Sequence, residues 1–433
     1  MHIRFSAGAA CLIALCSSPG RIRAETAPVP AAAAGTERLA LDEVVRRALA
    51  RNPSVEVAFA EINRADALVW EARAGWLPIL TANGAYTRID HARTSMGGIL
   101  TPESQVNGDL QLTLPLFAAN GWMNTRHAKD NRRVAEMSAD EVRREVAQAV
   151  ARAYLTVVAE HRLVEASEIA RTNAKAHYDY AHTRFAGGIG RSLDEVRAAQ
   201  DLASDEAQLQ STLVALARAR EALGVLIAAT GPIDVFDDVA LPAPPTPAVA
   251  VDEARTRRTD VRLQQGRLDA SQRAATDTWA YYAPYLAAVA TPFLQHPPTA
   301  ITPDHGWQIQ LVLTLPLYDG GTRTGVVHER DALVAEARTN LDATLRQAQS
   351  EVRVGFEAML RADQALTSAR DAARLATRAY ELATLAYRAG ASTNIEVIDA
   401  ARQQLDANTA AAQAEDQARE ARLDLLVATG RFP

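Results

Sequence analysis

The stretch Leu112-Thr113-Leu114-Pro115-Leu116-Phe117 returns as Leu313-Thr314-Leu315-Pro316-Leu317-Tyr318, 313 − 112 = 201 residues later. In both copies an alternation of apolar and polar residues ends at proline and meets glycine, Gly121 in the first and Gly320-Gly321 in the second. A long helical pattern follows each, so each copy reads as a strand leading into a helix. The correspondence continues down the chain. Phe185-Ala186-Gly187-Gly188 matches Tyr387-Arg388-Ala389-Gly390 (390 − 188 = 202), and Leu226–Gly231 matches Leu425–Gly430 (430 − 231 = 199). Offsets this constant identify an internal duplication.

The repeated strand places Leu110, Leu112, Leu114 and Leu116 on one face, with Gln111 and Thr113 on the other. Its second copy sets Ile309, Leu311, Leu313, Leu315 and Leu317 against Gln308, Gln310 and Thr314. Such period-two patterning fits a strand on a soluble core, and equally a membrane strand with one face on lipid and one on water. Between the strands and the chain's glycine turns run proline-free helical patterns, the first over sixty residues and roughly 95 Å long. The aromatic content of 5% is low, which points to long helices packed through small residues. A net charge of −6 gives no reason to expect nucleic acid. No apolar run outside the N-terminus is long enough for a transmembrane helix.

Residues 1–24 read as a signal peptide: Arg4, an apolar stretch from Ala7 to Leu15, then small residues and Pro19. Both cysteines, Cys11 and Cys16, fall inside it, so the mature chain is expected to hold no disulfide. Cys16 is also a candidate for lipidation, although Leu15 before it is a poor match for the usual small residue. Residues 25–38 read as a flexible tether. A first repeat spans 39–231, with strands at about 80–90 and 107–117 and long helices at about 121–185 and 192–230. A proline-rich linker, 232–250, separates it from the second repeat, 251–433. That half is expected to hold strands at about 285–294 and 306–318 and long helices at about 322–388 and 394–429.

Each half thus offers two amphipathic strands and two long helices. Four strands cannot close a barrel, and a bilayer forbids an open sheet, so a membrane barrel requires several copies. Here the chain resembles the TolC-like outer membrane efflux proteins, over roughly residues 39–430. The most specific segments are the two turns: Arg184-Phe185-Ala186-Gly187-Gly188 through Leu193-Asp194-Glu195-Val196, and Tyr387-Arg388-Ala389-Gly390 through Ile395-Glu396-Val397-Ile398-Asp399-Ala400. The resemblance implies a mainly α fold with a membrane β-barrel. Three protomers, each a duplicated strand–long-helix hairpin, would form a twelve-stranded β-barrel coaxial with a barrel of twelve helices. It also implies an outer membrane location in a Gram-negative-type cell, with contact to outer membrane lipid. The partners would be a periplasmic adaptor and an inner-membrane pump, and export would be passive, gated at the periplasmic helical tips.

By the same resemblance, Glu396 and Asp399 would ring the periplasmic entrance and favour cations. They lie at i and i+3 on one helical face, where the plain reading is a pair of solvated acids at a helix start. Asp194 and Tyr387 match members of the latch between hairpins. Ser392 stands where the latch arginine is expected, and Arg191 is the candidate substitute. The tips Gly188, Ile189, Gly190 and Ser192, with Gly390, Ala391 and Ser392, match the adaptor-docking positions. Their local role is helix termination, and Ser192 is expected to cap the second helix. No catalytic, cofactor or metal motif is present: Gly187-Gly188-Ile189-Gly190 follows no strand, and His177 and His182 are spaced as surface residues. The expectation is therefore a channel rather than an enzyme. A periplasmic coiled-coil adaptor is the alternative, disfavoured by the strands and the duplication.

Overall fold

A computed structural model describes residues 37–95, 97–237 and 241–432; the expected signal peptide with Cys16, and all but the end of the tether, lie outside them. The chain begins with β1 (Arg38–Leu39), α1 (Leu41–Arg51) and α2 (Pro53–Ala74), then β2 (Ile79–Arg88) and a small hairpin, β3 (Arg93–Ser95) and β4 (Gly98–Thr101). β5 (Ser104–Ala118) runs straight into α3 (Ala119–Ala186), and α4 (Ser192–Leu226) returns. After β6 (Asp234–Val235) the order recurs: α5 (Pro247–Arg257), α6 (Thr259–Thr276), β7 (Tyr285–His296), β8 (His305–Thr314), α7 (Thr322–Arg388) and α8 (Asn394–Ala428). Asn52 caps α2 by accepting from the Ser54 amide at 2.9 Å, with Pro53 supplying a helical φ and no orphan donor.

The four long strands form one antiparallel sheet in the order β2-β5-β7-β8. Register sorts its two faces. Leu80 pairs with Leu112, Leu112 with Ala290 and Ala290 with Ile309, while Leu114 pairs with Ala288 and Ala288 with Leu311. The neighbouring rows are polar: Thr81 with Gln111, Asn83 with Asp109, and Val289 between Thr113 and Gln310. The apolar face is bare, with Trp307 74%, Leu311 71% and Leu313 67% exposed. β8 stops at Thr314, short of the expected 318, because it is an edge strand and Leu315–Tyr318 have no strand partner among the described residues. The equivalent residues of β5 are paired by β7.

Below the sheet α2 packs on α3, α3 on α6 and α6 on α7; further down α3 pairs with α4 and α8, and α7 with α8. The main apolar cluster joins α1, α3 and α4 through Val44, Val150, Val157 and Leu223. Tyr154 is fully buried there, its hydroxyl 2.7 Å from the Phe236 carbonyl and 3.2 Å from that of Leu39. The 232–250 segment is not a free linker. β6 pairs in parallel with β1, and buried Asp234 accepts from Arg220 (2.9 Å) and Arg38 (3.2 Å) and lies 2.6 Å from His161 Nε2. Burial works to raise the Asp234 carboxyl, but the bonds from His161, the Val235 amide and Arg220 outweigh it and hold the group down at about 2.

α5 and α6 are separated at Arg258, whose extended backbone lets its buried guanidinium reach Asp260 at 2.7 Å and Glu351 at 2.5 Å. Among the described residues no helix is long and apolar enough to cross a membrane.

Candidate functional site

The two hairpin tips lie at the far ends of α3–α4 and α7–α8. In the first, Gly187, Gly188 and Gly190 donate backbone N–H groups to the carbonyls of Thr183, Phe185 and Arg184, absorbing the orphan acceptors of α3. Gly188 takes φ +73°, and a Cβ at Gly190 would lie 2.7 Å from the Phe185 nitrogen, so both positions require glycine. Arg191, not Ser192, occupies the cap position of α4, and no side chain caps there; Ser192 is already helical. In the second tip Gly390 (φ +78°) and Ala391 close on Tyr387 and Ala386.

Glu396 and Asp399 are both exposed. Glu396 is also a cap: its carboxylate accepts from the Ser392 hydroxyl and the Thr393 amide, while the Thr393 side chain bonds back to the Glu396 backbone. These bonds, that from Ser392 first, hold its carboxyl below the usual glutamate range, so it stays anionic. Ser392 therefore serves the acid rather than standing in for a cation.

The hairpins meet through a seam of buried polar residues. Asn394 is 3% exposed; its amide nitrogen donates to the Asp194 carbonyl (3.1 Å), and its oxygen faces His177 Nε2 at 2.6 Å. Because that oxygen is an acceptor, His177 must carry its proton on Nε2. His177 is buried, contrary to the surface position expected for it, and burial pushes its pKa down. Asn173 donates to Gln404 (3.1 Å), which donates to Thr377 (3.2 Å). Arg402 pairs with buried Asp201 at 3.4 Å. Desolvation raises Asp201, and raises neighbouring Asp205 to about 6 with help from the Asp201 charge.

Tyr387 is buried among α3 residues, 5.4 Å from the His177 ring and 5.7 Å edge-on to Tyr180, with the Arg184 guanidinium 5.4 Å over its face. Of the latch candidates, Asp194 and Tyr387 thus reach across the two hairpins, Asp194 by its backbone carbonyl. Arg191 makes no ion pair among the described residues. Asn394, Gln404 and His177 carried no sequence signal, since a polar residue on a helix reads as solvated until another helix packs over it.

The model of the outer membrane efflux protein family matches residues 44–229 and 250–431, one match for each half. The chain is 22% identical over 395 residues to the antibiotic efflux pump outer membrane protein ArpC of Pseudomonas putida, covering 86% of this chain and 78% of that protein. Its fold is similar to the outer membrane protein VceC of Vibrio cholerae (TM-score 0.76, 20% identity, 90% and 96% of the two chains). It is also similar to the CmeC outer membrane channel of Campylobacter jejuni (TM-score 0.77, 19% identity, 90% and 86%). The chain belongs to the outer membrane efflux protein family.

Proposed function

We propose that three copies close their sheets into one twelve-stranded barrel in the outer membrane and their helices into a tunnel reaching into the periplasm. The observation that carries this reading is the two-faced sheet with two open edges. Its outward rows are apolar and bare, its other rows polar, and β2 and β8 each have an outer edge with no partner among the described residues. A bilayer tolerates such a sheet only if it is closed, and antiparallel order is kept when β8 meets β2 of another copy. A strand of 10 residues at the usual membrane tilt spans about 24 Å, close to the height of an outer membrane apolar band.

The channel is passive, with an inner-membrane pump supplying the energy and a periplasmic adaptor docking at the hairpin tips around Gly188–Ser192 and Gly390–Ser392. Small organic molecules are the favoured cargo, because the relatives include components of antibiotic and toluene pumps. Glu396 and Asp399 are the acids at the tunnel entrance, and the Asn394 seam holds the two hairpins together in the closed state.

Single-channel recording in a planar bilayer tests the reading. Cation-selective pores that lose selectivity in Glu396→Ala/Asp399→Ala would support both channel and entrance. Unchanged selectivity would return the two acids to helix capping and solvation, and absence of pores from a folded oligomer would overturn conduction itself.

A further inference from the structure

Asp109 is the only carboxylate in the four strands of the sheet. Arg88, the other formally charged residue there, ends β2 in line with the apolar rows and turns to Glu103 at 3.3 Å. Asp109 belongs to the polar face, in the row Asn83, Asp109, Phe293, Gly306. Uncharged polar pairs flank that row. Thr81 meets Gln111 and Thr291 meets Gln308 on the side of the helices, and Asn107 meets Gln295 on the other.

The Asn83 amide nitrogen donates to Asp109 Oδ2 at 2.8 Å, which orients the carboxylate. No basic side chain pairs with Asp109 among the described residues, so a half-buried carboxylate faces the polar side without a counter-ion. Phe293 stands directly opposite, where facing residues hold their Cβ atoms about 4.5–5.5 Å apart. The far end of its ring lies over Gly306: a Cβ there would come 2.8 Å from Cζ and 2.9 Å from Cε1. Glycine at 306 is therefore what makes room for the ring. A carboxylate and the negative face of an aromatic ring both attract a cation, and the ring also offers an apolar group a surface to lie on. One row further, Asn107 Oδ1 and Gln295 Nε2 are buried and have no hydrogen-bond partner among the described residues. Such unpaired groups are exceptions in folded proteins, and two of them adjoin this row.

We propose that Asp109 and Phe293 form a binding site in the barrel lumen for organic cations that carry an aromatic group. The proposal rests on the closed-barrel reading above, which turns the polar face inward and sets three such sites around the lumen. It narrows the favoured cargo from small organic molecules to aromatic cations. Asp109 lies nine residues before the end of β5 at Ala118, about 30 Å along the strand, on the far side of the sheet from the hairpin tips. The site is thus separate from Glu396 and Asp399, and cargo reaches it last.

Benzyltrimethylammonium, added at the barrel side of pores in a planar bilayer, tests the site. Tetramethylammonium supplies the charge without the ring, and benzyl alcohol the ring without the charge. Asp109→Asn keeps an acceptor for Asn83 and removes only the charge, whereas Phe293→Leu keeps an apolar side chain and removes the ring. Wild-type pores should be blocked by benzyltrimethylammonium at a concentration about two- to fivefold below that of tetramethylammonium. The half-blocking concentration should rise at least about fivefold in Asp109→Asn and about two- to fivefold in Phe293→Leu. Saturation-transfer NMR of the probe's ring protons on the detergent-solubilised oligomer reads the same binding without conduction, and should weaken in both variants. Equal half-blocking concentrations in wild type and Asp109→Asn overturn the site. So does block that is lost in Glu396→Ala/Asp399→Ala and kept in Asp109→Asn. Equal block by all three probes overturns the ligand class. Absence of pores, with saturation transfer that Asp109→Asn abolishes, removes the channel reading and upholds the site. Absence of both pores and saturation transfer in a folded oligomer overturns both.

Discussion

Replacing Asp234 by asparagine should unfasten the belt formed by β1 and β6. Its carboxylate is almost wholly buried and gathers Arg38, Arg220, His161 and the Val235 amide. Holding its pKa at about 2 rather than 3.8 corresponds to nearly two units, or about 2 kcal/mol of stabilisation at neutral pH. Because the folded value is depressed, that contribution is full above about 3.8 and is lost as pH falls toward 2. Asparagine keeps the shape but removes the charge, leaving the Arg220 guanidinium without its counter-ion. Hydrogen exchange reads the loss locally and needs no reversible unfolding of the whole protein. The Asp234 amide bonds to Glu37 (2.9 Å) and the Phe236 amide to Leu39 (3.4 Å). Both should exchange roughly thirtyfold faster in Asp234→Asn at pH 7, and wild type should approach the variant as the pH drops below 4. Protection that changes less than about threefold at pH 7 would refute the view that this charge cluster fastens the belt.

Three further changes test other parts of the molecule. Asn394→Ala strands His177 Nε2 and the Asp194 carbonyl, a cost of about 1–3 kcal/mol that should favour parted hairpins and lengthen open times in single-channel records. Leu311→Arg places a charge on the apolar face of the sheet and should cost about 2–4 kcal/mol and deplete the outer membrane fraction, whereas Gln310→Arg on the polar face should insert normally. Gly190→Ala forces a Cβ to within 2.7 Å of the Phe185 nitrogen and should make the first tip markedly easier for trypsin to cut after Arg184 or Arg191.

Where the fold is governed by local pattern, the sequence was enough to read it. The alternation through Leu110–Leu116 and the glycines at 187, 188 and 390 lie in the strand and turns that their spacing requires. What escaped depends on neighbours distant along the chain. Leu315–Tyr318 continue the strand pattern, but pairing needs a second strand, and one chain does not supply it. The 234–235 strand is hidden in a proline-rich stretch because its fastening comes from Arg38, His161 and Arg220, far off in sequence or on another element. His177 has the spacing of a surface residue, and the packing of Tyr387 of α7 and Asn394 of α8 against α3 buries it. Ser192 looks like a cap, yet the glycine turn is one residue shorter than that requires, so Arg191 takes the position.

Helix lengths carry a mechanical consequence. α3 and α7, with 68 and 67 residues, each run about 100 Å, whereas α4 and α8, with 35 each, cover about half of that. The other half is covered by α2 and α6, so four helices stand side by side at either level: α2, α3, α6 and α7 near the sheet, α4, α3, α8 and α7 near the tips. In the proposed tunnel a wall built this way keeps the same number of helices at both levels, like a cask whose short staves are butted end to end between full-length ones. Only the two full-length staves are continuous from mouth to tip. A twist applied at the tips can therefore travel to the mouth only along α3 and α7, while each joint between short staves, at the belt and at Arg258, is a place where the wall can shear without breaking a helix.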